Sequence, residues 1–492
     1  MQVYFRMQAD KLADMSIPYS ATYRTIVQAF GNTMDVIRMP FRLGERQACF
    51  FFLDGFIDKL LFEANIMQPL KALPPDTVFT LDTIQAATIV TTPVKELDNP
   101  DDAIRSIAGG DIVLLIDEAD ALYLFSEKKY SVRGIQEPPV STVLRGPREG
   151  FVEDFKTNMT MLRRRLATEK LRFDLLSIGK YTATRVVIAW LDGVADPAIL
   201  KQVKERLQAI DRDGIVESSY LARYLEAHKL SIFSQVGATE KPDIATAKML
   251  EGRIAILVDG SPMVLTLPFV LYESFQASED YYIKSYRASL IRAVRLMAVM
   301  IAILLPAVYV ALQQFQYQMF PLKFLITIMN SIYGIPLTPT LEMLLVLVIF
   351  EILNEASVRM PRYVGMALSI VGAIVLGETA VNAGLLSTPA ILVIALSTIG
   401  LYCVPDESNT SSVLRFLFVT VAGVLGILGV LLSAIMLIAY LCSLESFGTS
   451  FMAPFSPSLI HDWQDGILKS NVTDMPERPY TIPTPNRTRI KK

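Results

Sequence analysis

The spacing of apolar residues changes character near residue 290. Upstream of it, short apolar runs bounded by turn residues alternate with segments of helical period, the pattern of strands and helices packed in layers. CFFFL (49–53), followed by Asp54-Gly55, reads as a buried strand entering a turn. DIVLLID (111–117) reads as a second strand, with ALYLFS and KKYSVR completing a small sheet. Helical spacing falls over 56–72, about 82–90 and from about Glu149 to Leu166, and a further helix is expected within 1–30. After about Leu171 a second unit begins, with strands RVVIAWL (185–191), SIFSQV and RIAILVDG (253–260) and helices at 197–210 and 242–251. MVLTLPF follows as the return strand of a hairpin. Residues 270–290 read as an acidic, aromatic amphipathic helix or linker whose tyrosines suit a membrane interface.

Downstream the apolar runs are long enough for lipid. The chain is uncharged from Leu296 to Leu322, and the short apolar stretch 322–334 reads as re-entrant or interfacial. Spans follow at about 339–357, 363–381 and 386–404, then a polar loop, PDESNTSS (405–412). The last uncharged run, 416–444, is long enough for one tilted span, and its Gly423, Gly426 and Gly429 suit close helix contact. The expected fold class is α+β with a membrane part. An N-terminal soluble α/β region of two subdomains (1–170 and 171–289) precedes an α-helical transmembrane domain of about five spans (290–444) and a C-terminal tail (445–492). Arg287, Arg292 and Arg295 before the first span put the N-terminal region on the cytoplasmic side. Five spans would leave the tail outside. Its Arg487, Arg489, Lys491 and Lys492 lie beyond the reach of the charge rule, so its side stays open. Proline and polar residues there predict partial order.

Charge inside the apolar part changes the picture. Glu342, Glu351, Glu355, Arg359, Arg362 and Glu378 all fall in or beside expected spans. A charged side chain at mid-bilayer costs about 2.5–3.5 kcal/mol on insertion scales, so such groups face protein, water or the membrane surface. Glu351, Glu355 and Arg359, at i, i+4 and i+8, share a helix stripe that Pro361 ends or kinks. Glu351, Glu355, Arg359, Arg362 and Glu378 are therefore the candidate ion-path or gating residues. The competing reading pairs Glu355 with Arg359 and leaves Arg359 and Arg362 as anchors at the membrane surface.

Composition agrees with a membrane protein carrying a soluble part: 492 residues, 52% of them hydrophobic, with a mean hydropathy of +0.39. A net charge of −3 suggests no nucleic-acid partner. Three scattered cysteines and two histidines give no disulfide framework, metal site or cofactor signature. IVLLIDEAD resembles the acidic strand end of nucleotide hydrolases, but no GxxxxGK[ST] phosphate loop occurs in the sequence, which disfavours an enzyme. Arg163, Arg164 and Arg165 end a helix where cations complement its dipole. They suit lipid headgroups, an acidic subunit or phosphate, or else a solvated ion-pair network. The first twenty residues lack an apolar leader core, so no secretory signal is expected.

RGIQEPPVSTVLRGPREGFVEDFKTNMTMLRRRL (133–166), GRIAILVDGSPMVLTLPFVLYESFQASEDYY (252–282), FEILNEASVRMPRYVGMALSIVGAIVLGETAVNAGLLS (350–387) and FMAPFSPS (451–458) together resemble the A subunit of the GerA family of spore germination receptors. The resemblance covers roughly residues 110–465. Asn354 departs from it, since the family typically has arginine there. A related sporulation subfamily looks different around DGSPMVLTLP and ESFQASEDYY. The resemblance implies a cytoplasm-facing pair of α/β subdomains and a membrane domain in the spore inner membrane. It further implies a homo-oligomeric ring that releases ions, a transporter-like B subunit that binds the germinant, and a lipoprotein C subunit. The alternatives are a self-contained secondary transporter, with helices broken at Pro336, Pro339 and Pro361, or a sporulation-related channel of the same family.

Overall fold

A computed structural model describes residues 20–44, 46–74, 77–116, 121–129, 145–359 and 378–489. The chain forms two compact units, one of residues 1–229, 236–269 and 476–492, the other of 230–235 and 270–475.

In the first unit, α1 (Ala21–Phe30) leads into the hairpin of β1 (Val36–Leu43) and β2 (Arg46–Leu53). A helical segment over 59–71 (α2) and α3 (Leu81–Ala87) precede β3 (Lys95–Leu97). Then α4 (Pro100–Ala108) feeds β4 (Ile112–Ile116) and β5 (Ala121–Phe125). The sheet is antiparallel, in the order β1-β2-β4-β5-β3, and covered on both faces. Phe50, Phe52, Leu114 and Phe125 pack with Phe62, Leu70 and Ile84. Phe51, Leu53, Val113 and Leu115 pack with Ile26, Phe30 and Ile107. Successive residues thus enter different cores, which is why CFFFL and IVLLI are apolar without alternation.

The second sheet repeats the first strand for strand. After α5 (Phe155–Arg165) come β6 (Leu171–Ile178), β7 (Thr184–Leu191), α6 (Pro197–Gln208), α7 (Ser218–Leu225), β8 (Gly237–Thr239), α8 (Pro242–Leu250), β9 (Ile254–Val258) and β10 (Val264–Leu267). Its order is β6-β7-β9-β10-β8, again antiparallel. Matching the strands exposes a repeat in the residues themselves. Leu53-Asp54-Gly55-Phe56-Ile57-Asp58 recurs as Leu191-Asp192-Gly193-Val194-Ala195-Asp196. Gly55 and Gly193 both turn with positive φ, and Asp58 and Asp196 both cap the next helix through backbone N–H groups.

Several expectations are corrected. SIFSQV is not a strand. Its backbone is committed elsewhere: the Gln235 carbonyl accepts from Ser446 Oγ, and the Phe233 ring meets Phe451 and Tyr440. The helix expected from Glu149 begins at Phe155, capped by Asp154, because the Glu149 carboxylate is taken by Arg164 and Arg165. Residues 270–290 are two short 3₁₀ turns and the start of a long helix rather than one amphipathic helix. The sequence reading does not foresee β1, β3, β6 or β8. The tail, expected to be partly ordered, packs from 476 to 489 in the first unit. There Arg478 donates to the carbonyls of Leu250, Asn486 and Thr488, and Ile482 is fully buried.

One buried ion pair joins the two sheets. Arg163 is 1% exposed; its guanidinium meets Asp35 at 2.7 Å and donates to the carbonyls of Thr168 and Leu171. Thr33 Oγ1 donates to Asp35 at 2.6 Å and accepts from the Phe173 N–H. Arg163 is therefore a structural cation, and Arg164 and Arg165 belong to an ion-pair network with Glu149.

The second unit holds α9 (Ser285–Gln314), α10 (Leu322–Ile332), α11 (Pro339–Arg359), α12 (Thr388–Tyr402) and α13 (Ser408–Ser443). Among the described residues, α9 and the stretch Pro405–Ser443 are long and apolar enough to cross a membrane. The span expected over 363–381 lies, up to residue 377, outside the described residues, as does Arg362. The single tilted span expected over 416–444 is overturned. At Gly426 (φ 61, ψ −147) the backbone leaves the helical region. In one continuous helix residues 410 and 440 would stand about 45 Å apart. Instead Thr410 Oγ1 donates to the Ile232 carbonyl, while the Tyr440 ring lies 6.4 Å from the ring of the adjacent Phe233. The arms 408–425 and 427–443 therefore fold back on each other. A Cβ added at Gly429 would lie 2.8 Å from the Val421 oxygen, and one at Gly423 would lie 2.3 Å from Thr340 Cγ2.

Two predictions follow from the first unit. Asp35→Ala leaves Arg163 buried and unpaired and is expected to lower stability by about 3–5 kcal/mol. Chemical unfolding of the full chain, followed by near-ultraviolet dichroism, measures it; a loss below 1 kcal/mol would refute the role. The second concerns Glu217. Burial pushes its carboxyl up, but bonds from Ser218, Ser219 and Ser261 outweigh this and hold it down at about 2. A depressed carboxyl stabilises above its unfolded value of about 4.3, and that contribution fades as pH falls toward 2. Glu217→Gln should flatten the acid limb of the unfolding midpoint across that window.

Candidate functional site

The polar groups inside the second unit divide into fixed and free. α11 carries Glu351 toward α13, where Arg415 Nη2 lies 2.9 Å from Glu351 Oε1. Arg415 is 1% exposed and Glu351 33%. Ser412 Oγ donates to the same carboxylate oxygen. On its other side Arg415 donates to Ser397 Oγ at 3.1 Å and to Thr398 Oγ1 at 3.4 Å, and Ser397 Oγ donates to the Ala302 carbonyl. This cluster ties α9, α11, α12 and the first arm of α13 together. Its parts have local causes. Gly400 lets α12 approach α9 closely, since a Cβ there would sit 2.5 Å from the Ala298 oxygen. Glu351 projects from an otherwise apolar turn of α11 and supplies the counter-charge that the buried Arg415 requires.

Glu355 and Arg359 do not join this cluster. They pair with each other at 2.5 Å, with side chains 63% and 77% exposed. A helix turns 3.6 residues per turn, so Arg359 stands about 80° around α11 from Glu351, and the expected stripe fans out. Glu378 is also exposed.

The sequence reading missed four features. Arg415 was passed over because it stands at the border between the polar loop and the uncharged run. Glu342, noted only as a charge, is buried and accepts the Ser387 N–H at 2.5 Å at the start of α12. Around the Gly426 break, Thr340 Oγ1 donates to Gln314 Oε1 at 2.6 Å and Gln316 Oε1 accepts from the Ile427 N–H at 3.4 Å. Gln314 Nε2 also donates to the Gly423 carbonyl at 3.4 Å, so the two glutamines occupy backbone groups beside the break, as lipid-embedded chains require. The arginines before the first span are likewise not simple surface anchors. Arg292 and Arg295 both meet the fully buried Asp280, at 3.0 and 2.8 Å, and Arg292 also meets Asp465 at 3.0 Å.

Residues 24–481 match the family model described as Bacillus/Clostridium GerA spore germination protein. The chain belongs to the GerA family. It is an A subunit of that family, which is a germination-protein family and not an enzyme family. The chain is 33% identical to spore germination protein KA of Bacillus subtilis strain 168, over 94% of this chain and 86% of the relative. It is 33% identical to spore germination protein GerLA of Bacillus cereus, over 79% of each. It is 32% identical to the uncharacterized membrane protein YfkQ of Bacillus subtilis strain 168, over 91% of this chain and 88% of the relative. Among solved structures it is similar to the N-terminal domain of the A subunit of the Bacillus megaterium spore germinant receptor GerK3. That likeness has 27% identity and a TM-score of 0.40, and covers 50% of this chain and 92% of that one. The GerA chain described here is a membrane protein.

The fixed and free charges predict different costs on removal. Glu351→Ala strands Arg415 and should lower stability by about 3–5 kcal/mol. Glu355→Ala removes an exposed pair worth about 1 kcal/mol or less. Thermal unfolding of the two purified variants in detergent compares them directly; equal losses would contradict the division.

Proposed function

We propose that this GerA-family chain is the A subunit of a nutrient germinant receptor, assembling with copies of itself in the spore inner membrane. There it transduces the germinant signal and releases ions during germination. Its expected companions are the transporter-like, germinant-binding B subunit and the lipoprotein C subunit of such receptors.

The observation that carries the reading is the exposure of Glu355, Arg359 and Glu378 on an apolar helical unit. Left toward hydrocarbon, such charges cost several kcal/mol, so water or a second copy covers them. Carboxylates along a narrow polar route lower the barrier for cations. In this reading Glu355 and Glu378 line the route, Arg359 and Arg362 stand at its cytoplasmic mouth, and Glu351 sets the position of the lining helix through Arg415.

The same reading extends to the topology. Residues 476–489 pack in the unit that also holds residues 20–229, so the chain returns to the side it left. That goes with an even number of crossings, in this reading α9, α11, the span expected from the sequence over 363–381, α12 and the two arms of α13. The first arm, 18 residues, is about 27 Å long, close to a bilayer core of about 30 Å. Both the N-terminal unit and the tail then face the cytoplasm, the spore core side.

The test is ion flux from liposomes holding the purified chain, with oligomeric state measured on the same sample. Glu355→Gln and Glu378→Gln should assemble normally and change flux or selectivity at least severalfold. A monomer, or normal assembly with unchanged flux in both variants, would end the proposal.

A further inference from the structure

Beside α7, on the second sheet's half of the first unit, lies a cavity of about 570 Å³. Three cations line it, Arg212, Arg223 and Lys229, with Ser219, Tyr220 and Tyr224, and its lining holds no carboxylate. Several cations elsewhere in this unit are matched, such as Arg163 to Asp35, Lys156 to Asp54, Lys204 to Asp174 and Arg253 to Glu251. Among the described residues, Arg212, Arg223 and Lys229 form no ion pair. Of the acids close in sequence, Asp213 and Glu226 are not in the lining, and two others are engaged elsewhere. Asp211 pairs with Lys180 at 3.0 Å, and Glu217 is held by Ser218, Ser219 and Ser261.

The cavity is also partly pre-organised. Arg212 Nε donates to Tyr224 Oη, and its guanidinium carbon lies 5.9 Å from the centre of that ring. This fixes the plane of the guanidinium and leaves its two terminal nitrogens for a ligand. Three like charges around one cavity repel each other, and an anion between them removes that repulsion. A planar guanidinium presents paired N–H groups that match phosphate oxygens. The volume falls in the range of small-molecule pockets, about 300–1,000 Å³. Tyr220, 56% exposed, and Tyr224 offer ring faces to whatever carries the phosphate.

We propose that this cavity binds a phosphate-bearing anion, held by Arg212, Arg223 and Lys229, with Tyr220 and Tyr224 against its organic part. The phosphate can belong to a free metabolite or to a lipid headgroup, and the experiment separates the two. The purified full chain in a neutral detergent is titrated calorimetrically with inorganic phosphate, with glycerol 3-phosphate, and with short-chain phosphatidylglycerol against short-chain phosphatidylcholine. Arg223→Gln and the double variant Arg212→Gln, Arg223→Gln are titrated alongside, with unfolding midpoints measured for each. Loss of a charge-assisted contact should weaken binding by about tenfold or more. Binding of the soluble phosphates, weakened in the variants, identifies a free-phosphate site. Binding of phosphatidylglycerol alone, weakened likewise, identifies a headgroup site. No binding of any probe to the parent chain overturns the proposal, as does binding that the well-folded Arg223→Gln variant leaves unchanged.

Discussion

The architecture of the membrane unit depends on one residue's freedom to leave the helical region. At φ 61 and ψ −147, Gly426 occupies backbone space that side chains with a Cβ essentially never enter. A Cβ there would also press, at 3.1 Å, on Gln316 and Phe315. Were the 36 residues of α13 one rod, it would be about 54 Å long and would carry the following chain far from the start of α9. Because it folds back, residues 444–475 return to the beginning of α9, where Asp465 completes the charge around Arg292. Asp280, Arg292 and Asp465 come from three separate stretches of chain. Burying the first two is tolerable only because all three meet.

A second constraint is that buried charge must be matched before anything else can be built. Arg163 with Asp35, Arg292 with Asp280, and Arg415 with Glu351 are each nearly inaccessible on the cationic side. The first and third join segments far apart in the chain, Arg292 does so through Asp465, and each draws extra donors or acceptors from backbone or hydroxyl groups. Glu355 and Arg359 lack such surroundings. In a single copy they are simply exposed, which is what makes them informative. A helix that ties Glu351 to the buried Arg415, yet leaves the next turn charged and open, has its unmet requirement at that turn.

Much of the soluble fold was legible because it obeys local rules. CFFFL, IVLLI, RVVIAWL and the β9–β10 hairpin are apolar runs bounded by glycine or aspartate, and all four are interior strands or pairs. β1 and β6 escaped because VIRMPFRL and LRFDLLSI are edge strands that mix charge with apolar residues, and β3 and β8 because three residues carry no period. The repeat was hidden for another reason. Only a few turn and cap residues recur, and they become recognisable once paired strands set the register. In the membrane unit the three glycines were visible as contact residues, but a positive φ leaves no mark on composition, so one span was expected where two arms exist. Arg415 was invisible as a partner because nothing local links it to Glu351, 64 residues earlier. The i, i+4, i+8 stripe spreads over nearly a quarter turn of α11, which is why Glu351 reaches Arg415 while Glu355 and Arg359 pair with each other.

The two sheets of the first unit share a frame but differ in what is hung on it. In each, the connection from the second strand to the short third strand is long and helical. In the first half it comprises α2 and α3, whose apolar faces close the core through Phe62, Leu70 and Ile84. In the second half it comprises α6 and α7, with the turn at 209–217 between them, and this turn together with α7 walls the cationic cavity. The same half also takes the returning tail, through Arg478 on the Leu250 carbonyl and Arg489 on Glu251. Frames held by buried strands tolerate change in their connections, since those connections lie at the surface. That is why the repeated cap and turn residues stay alike while the intervening helices diverge, and why chemistry in this unit is to be sought in the α6–α7 connection rather than in the sheets.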